Sequence, residues 1–244
     1  MNIFDLIIDD KEKIRLDDIS LNDDNRHVCM QIMKENFYSE ELSRYGLPVS
    51  NKILLHGTSG CGKTMTAKAM ACELNKKILI LNLSNVVCSR IGETSQNMRQ
   101  IFEKAGREKA VLFFDEFDQI GKSRGSDDKD VGEMRRLVNT IIQLIDYFPQ
   151  NALLICATNH TDIIDAALLR RFQIKLKYEL PEKQILDNYY DRILSVFPEN
   201  VRQITRQYDI SFAEAKDHTY TTVKSMLINK WDQNEKEEEI CTTK

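Results

Sequence analysis

The chain is predicted to adopt an α/β fold with a parallel sheet, and three observations predict it. Five short runs, at 53–55, 78–83, 110–114, 152–157 and 174–176, are almost continuously apolar, as strands covered on both faces are. Helical patterns separate them, and alternation of strand with helix implies parallel strands joined by crossovers. Behind Pro181 only helical patterns remain, which sets a small all-α region after the α/β part. At 244 residues, 42% of them hydrophobic and 30% charged, the chain has the length and composition of one large folded domain with a small appendage.

Taken in order, residues 1–49 form an N-terminal segment with one amphipathic helix at 25–42 and paired acids at Asp9-Asp10, Asp17-Asp18 and Asp23-Asp24. Residues 50–180 are the α/β core. Its helices are expected at 63–74, 95–108, 131–147 and 163–169, each between two apolar runs. Residues 181–231 carry helical patterns at 182–196, 200–207 and 211–231. Residues 232–244, with Glu235-Lys236-Glu237-Glu238-Glu239, read as an acidic flexible tail.

Charge and cysteine usage exclude several classes. The net charge of −4 gives no basic face, so nucleic acid is not an expected partner. No apolar run reaches the roughly 20 residues of a membrane span. The amino terminus lacks a basic region before its apolar stretch, so it does not read as an export signal. Six cysteines are scattered singly, without metal-ligand spacing, which fits reduced thiols and a cytoplasmic location.

Glycine is scarce, at nine residues, so a cluster of it carries information. Gly57-Thr58-Ser59-Gly60-Cys61-Gly62-Lys63-Thr64 follows the run at 53–55 and opens a helical pattern. It fits the phosphate-binding pattern G-x-x-x-x-G-K-[ST], for which chance predicts roughly 0.003 matches in a chain of this composition. Glycines let successive N–H groups converge on phosphate oxygens, with the helix dipole behind them. Lys63 is placed to reach the β and γ phosphates, and the Thr64 hydroxyl to ligate magnesium. Cys61, beside a lysine and a helix start, is either a tolerated small residue or a thiol whose alkylation blocks nucleotide binding. The run at 110–114 ends in Asp115-Glu116. Ligands gather at the carboxyl ends of parallel strands. There Asp115 can orient magnesium and Glu116 can polarise a water for attack on a phosphate.

From about residue 15 to residue 231 the chain resembles the classical AAA branch of the AAA+ ATPases. Ala157-Thr158-Asn159 resembles the sensor-1 motif, with Asn159 as its polar residue. Ile164-Asp165-Ala166-Ala167-Leu168-Leu169-Arg170-Arg171-Phe172 is similar to the second region of homology. Asp118-Gln119-Ile120-Gly121-Lys122-Ser123-Arg124-Gly125 resembles the segment after the acidic pair, including that of membrane-anchored AAA proteases. The resemblance implies a P-loop NTPase with a five-stranded parallel sheet and a C-terminal helical lid. It implies ATP and Mg2+ as cofactors, Asn159 holding the attacking water, and Arg170 and Arg171 reaching a neighbouring subunit's nucleotide. The usual assembly of such proteins is a homohexamer.

Two stretches depart from the family pattern. In Ser89-Arg90-Ile91-Gly92-Glu93-Thr94, the candidate pore loop Arg90, Ile91 and Gly92 has arginine where an aromatic is usual. Arg90 favours acidic or mixed segments over generic threading. In Asp209-Ile210-Ser211-Phe212-Ala213-Glu214-Ala215, Phe212 stands where the lid helix commonly has glycine. With no zinc-protease motif and no large recruiting domain, the expected function is an oligomeric Mg-ATPase that remodels, unfolds or activates a protein partner, such as a separately encoded protease. The alternative is an ATP-gated binding module, or an activator of a separate protease, with slow hydrolysis and no threading.

Overall fold

A computed structural model of the chain describes residues 7–8, 12–83, 91–122 and 128–242. They divide into two compact units. One is built from the chain up to Gly57 and from Gly62–Tyr178, the other from Thr58–Cys61 and the chain from Glu179 onward.

The first unit is a six-stranded sheet flanked by helices. Its elements are β1 (Ile7–Ile8), α1 (Asp23–Phe37), α2 (Ser39–Arg44), β2 (Lys52–Gly57), α3 (Lys63–Glu73), β3 (Ile78–Asn82), α4 (Ile91–Glu108), β4 (Val111–Asp115), α5 (Gln119–Lys122), α6 (Asp128–Asp146), β5 (Leu153–Thr158), α7 (Ala166–Leu169) and β6 (Ile174–Tyr178). The strand order is β1-β3-β4-β5-β2-β6. The five expected strands, β2 to β6, are parallel. The short β1, which the sequence pattern did not predict, adds antiparallel to β3. Two residues carry too little pattern to announce a strand.

The central strands β4 and β5 are buried along nearly their whole length, which is why their sequences are unbroken apolar runs. α4 and α6 cover one face. Phe102, Phe114, Phe117, Phe148 and Phe172 join Leu112, Leu137, Ile141 and Leu154 in the main core there. Several of these rings meet edge to face, with 5.5 Å between the centroids of Phe102 and Phe148 and 5.6 Å between those of Phe117 and Phe172. At the amino ends of the strands, buried Asn51 donates through Nδ2 to the carbonyls of Pro149 and Ala152. Burying that amide requires such partners.

The helix ends follow local chemistry. Asn22 caps α1 by accepting from the Asn25 N–H at 2.8 Å. The helix expected at 25–42 is two helices, because the backbone leaves helical geometry at Tyr38. α3 and α4 stop where Asn75 and Lys109 enter the left-handed region, at φ 50° and 52°. The next residues' N–H groups close back on Ala71 and Ala105. α7 is shorter than the expected 163–169, because Asp165 caps it and fixes its start at Ala166.

In the second unit, α8 (Lys183–Leu194) and α9 (Phe212–Thr242) pack Leu186, Tyr190, Leu194, Val201, Ala215 and Val223 into a small core. The helix expected at 200–207 is absent, and only a 3₁₀ turn, Glu199–Val201, forms. Side chains hold the rest of that stretch in place of helical backbone bonds. Arg202 donates to the carbonyls of Phe197 and Ser195. Arg206 pairs with Asp187 and Asp191, and the Tyr208 hydroxyl donates to Asp187. α9 starts on a reciprocal cap between Ser211 and Glu214. It then runs on through Thr242, across residues 232–242 that the sequence pattern assigns to a tail. Glu and Lys are good helix formers, and no glycine or proline interrupts them.

Candidate nucleotide site

Three strand ends carry the predicted residues: Gly57 closes β2, Asp115 closes β4, and Asn159 follows β5. β5 lies between β4 and β2, so the three ends are adjacent at the carboxyl edge of the sheet, where this fold class binds ligands.

The phosphate loop bends on glycine. Gly57, Gly60 and Gly62 have φ of 121°, 73° and 97°, all in the region that side chains disfavour. At Gly57 the need is absolute, since a Cβ there would stand 2.0 Å from the Tyr178 carbonyl oxygen. Gly62 is the N-cap of α3, and the Lys63 ammonium folds back to donate to the Gly57 carbonyl at 2.8 Å. Thr64 Oγ1 donates to Asp115 Oδ2 at 3.1 Å. The two residues predicted to hold a metal are therefore brought together across 51 positions of sequence. Glu116, the next residue, is half-buried with φ 54°, and its N–H donates to Asp115 Oδ1.

The loop tip belongs to the second unit. Thr58 and Ser59 are exposed, and the Gly60 carbonyl accepts from the Ala213 N–H at 3.2 Å. A Cβ at Gly60 would meet Ser211 Oγ at 2.5 Å. Phe212, the departure noted at the start of α9, therefore does not prevent the helix from meeting the loop tip through its backbone. Cys61 is buried, with its Sγ 3.6 Å from the Ser59 carbonyl oxygen. That burial favours the packing reading of this residue over the reactive one.

Asn159 is exposed, immediately after buried Thr158. The two arginines differ in setting. Arg171 donates to the Ala167 carbonyl at 2.8 Å and pairs with Asp146 at 3.3 Å, whereas Arg170 is exposed. Arg90 lies outside the described residues, while Ile91 and Gly92 open α4 as backbone. His56 ends the apolar part of β2, and its pKa is held below the ordinary value. Burial is the main cause, followed by Lys177, Lys175 and Lys63.

Contacts that motif reading could not foresee frame the same edge. The turn at Leu16–Asp18 is tied to α3 through Glu73. It brings Ile19 to 3.8 Å from where a Gly62 side chain would be. Buried Asp118 and Thr158 join side chain to side chain. Neither contact has a sequence signal, because each depends on distant positions meeting.

This geometry defines a P-loop nucleotide-binding protein. The model of the ATPase family associated with various cellular activities (AAA) matches residues 53–180, more than half of the chain, and the chain belongs to that family. It is similar to an uncharacterized AAA family ATPase of Sinorhizobium fredii, with 34% identity over 88% of this chain and 66% of that protein. A putative 26S proteasome regulatory subunit homolog of Methanothermobacter thermautotrophicus shares 28% identity over 94% of this chain and 63% of its own length. An ATP-dependent zinc metalloprotease, FtsH 1 of Alkaliphilus metalliredigens, shares 31% over 83% and 36%. The chain thus spans between 36% and 66% of these relatives. Among the described residues, no helix is long and apolar enough to cross a membrane.

Proposed function

We propose that the chain is a Mg-dependent ATP hydrolase that works as an oligomer of itself and acts on a protein partner. The observation that carries the nucleotide reading is the Thr64–Asp115 bond, which unites the phosphate loop with the acidic strand end. Both atoms are hard oxygens, a donor set that suits Mg2+, and the bound ion would supply positive charge to the phosphate oxygens. Lys63 then moves its ammonium from the Gly57 carbonyl to the phosphates. Glu116 is the group that accepts or orients the proton of the attacking water, and Asn159 holds that water from the adjacent strand end. Neither Arg170 nor Arg171 is needed to bind nucleotide within one chain. Their planar permanent charge fits the developing charge of a neighbour's phosphoryl transfer. Arg170 is exposed for this role, whereas Arg171 has to release both Asp146 and the Ala167 carbonyl. The half-exposed ion pair is worth about 0.2–1 kcal/mol and the carbonyl bond about 0.5–1.5 kcal/mol, so Arg170 is the readier of the two. The names of the archaeal and metalloprotease relatives support a protein as the partner class.

The test is ATP turnover per chain across a wide range of protein concentration, with magnesium. The expected result is a steep rise as subunits assemble, with Arg170→Ala lowering the plateau and leaving ATP affinity intact. Mixing Arg170→Ala chains with Glu116→Gln chains should restore part of the turnover if the arginine acts across an interface. Flat turnover from a species of monomer mass would refute the oligomeric reading.

A further inference from the structure

We propose that Asp118 and Thr158 are positioning residues for hydrolysis, forming a buried clamp that fixes Glu116 and Asn159 relative to one another. The inference rests on the reading of Glu116 and Asn159 given above. Asp118 and Thr158 are 2% and 1% exposed. Thr158 Oγ1 donates to Asp118 Oδ1 at 3.0 Å and accepts from the His160 N–H at 3.0 Å. One hydroxyl thus spends its donor on the acidic turn and its acceptor on the backbone beyond Asn159. One position before each of these residues, the Phe117 N–H donates to the Ala157 carbonyl at 2.8 Å, and the Phe117 ring is wholly buried in the core. The turn after β4 is therefore stitched to the end of β5 at two successive positions.

Glu116 is the residue this stitching constrains. It sits at φ 54° without being glycine, a conformation that persists only when the surroundings impose it. Behind it, Asp115 is fixed by Thr64; ahead of it, Phe117 and Asp118 are fixed by β5. Asn159 is likewise bracketed by Thr158 and His160, which the Thr158 hydroxyl joins. A buried carboxylate is a poor choice for stability alone, since apolar residues of similar volume commonly serve as well or better. Its place two residues from Glu116, bonded to the neighbour of Asn159, is explained by geometry. A catalytic group displaced by about 1 Å loses up to about 100-fold in rate.

The experiment compares Thr158→Val, which keeps volume and removes the hydroxyl, with Thr158→Ser, which keeps the hydroxyl. Each is made alone and with Glu116→Gln, and both turnover and affinity for a fluorescent ATP analogue are measured. Thr158→Val is expected to lower kcat by about 10- to 100-fold with affinity within about 2-fold of the parent, and Thr158→Ser to recover most of the rate. In the Glu116→Gln background, Thr158→Val should cost less than about 3-fold more, because the clamp acts through the group already removed. Should Thr158→Val fail to fold, Asp118→Leu against Asp118→Asn makes the same comparison from the other side of the bond. Unchanged kcat, an equal loss in affinity, or losses that multiply in the double variant would each overturn the clamp. Full turnover by Glu116→Gln alone would instead remove the underlying reading of Glu116, and the two failures are thereby distinct.

Discussion

The phosphate loop after β2 and the acidic turn after β4 solve the same problem in opposite ways. Each must reverse the chain at the carboxyl edge of the sheet, and each uses backbone with positive φ. The first does so with Gly57, Gly60 and Gly62, which adopt that geometry without steric cost. The second places Glu116 there, the residue for which we propose a role as a carboxylate. It accepts a strain on the order of 1–2 kcal/mol and holds the residue by bonds to β5. A loop made of backbone is free to wrap a ligand, whereas a turn made of side-chain bonds is locked in one geometry. The difference matches the proposed roles of binding in one and positioning in the other.

The largest effect that would break this comparison is expected at Gly57. An alanine Cβ would collide with the Tyr178 carbonyl oxygen at 2.0 Å, at a φ of 121° that alanine avoids. Gly57→Ala should destabilise the fold by about 3–5 kcal/mol, read as a fall in denaturation midpoint. A midpoint within 0.5 kcal/mol of the parent would show that β2 and β6 can part freely. Gly60→Ala should cost less, about 1–2 kcal/mol. Its φ of 73° is less extreme than that of Gly57, and the added Cβ would meet the side chains of Ser211 and Ala213 rather than backbone. A cost equal to that of Gly57→Ala would mean the loop tip is as rigid as the strand end.

Acid should act on the same region through His56. Its folded pKa lies below the unfolded value of 6.5, mainly because of burial and then because of Lys177, Lys175 and Lys63. The unfolded chain therefore binds the extra proton first. The stability tied to neutral His56 is present above about pH 6.5 and is lost as pH falls from there toward the folded pKa. Comparing denaturant midpoints at pH 7.5 and 5.5, His56→Gln should show a smaller acid-side loss than the parent. An identical loss would assign the acid sensitivity elsewhere. The smallest effect is expected at Lys109, the C-terminal cap of α4 with φ 52°. Lys109→Gly should stabilise by about 0.5–1 kcal/mol, measurable as a small rise in Tm. If the variant is less stable instead, the side chain contributes more than its backbone strain costs.

These contrasts also explain what the sequence makes legible. Runs such as Ile53-Leu54-Leu55 announce strands, because burial on both faces leaves no room for polar residues. The glycine–lysine loop is legible because its chemistry is local, and Asp115-Glu116 because it sits at the end of a readable strand. The Asp118–Thr158 pair is invisible at that level, since 40 positions separate its members and neither residue type is unusual. Ile19 is missed for the same reason. The stretch after Val201 misleads in the other direction. Its helical pattern is overridden by guanidinium bonds from Arg202 and Arg206, a tertiary choice that periodicity cannot express.

The rims of the sheet have a consequence for handling the protein. A parallel sheet ends in strands whose outer N–H and C=O groups can recruit another chain and seed aggregates. Here one rim is finished by β1, which pairs with β3 along two of the described residues. On the other rim, exposed Lys175 and Lys177 alternate with Leu176 and Tyr178, and Asn25 Nδ2 takes up the Lys177 carbonyl at 2.9 Å. Crowded charge and an occupied carbonyl discourage strand-to-strand growth at this rim, while the carboxyl ends of the strands carry the phosphate loop and the acidic turn.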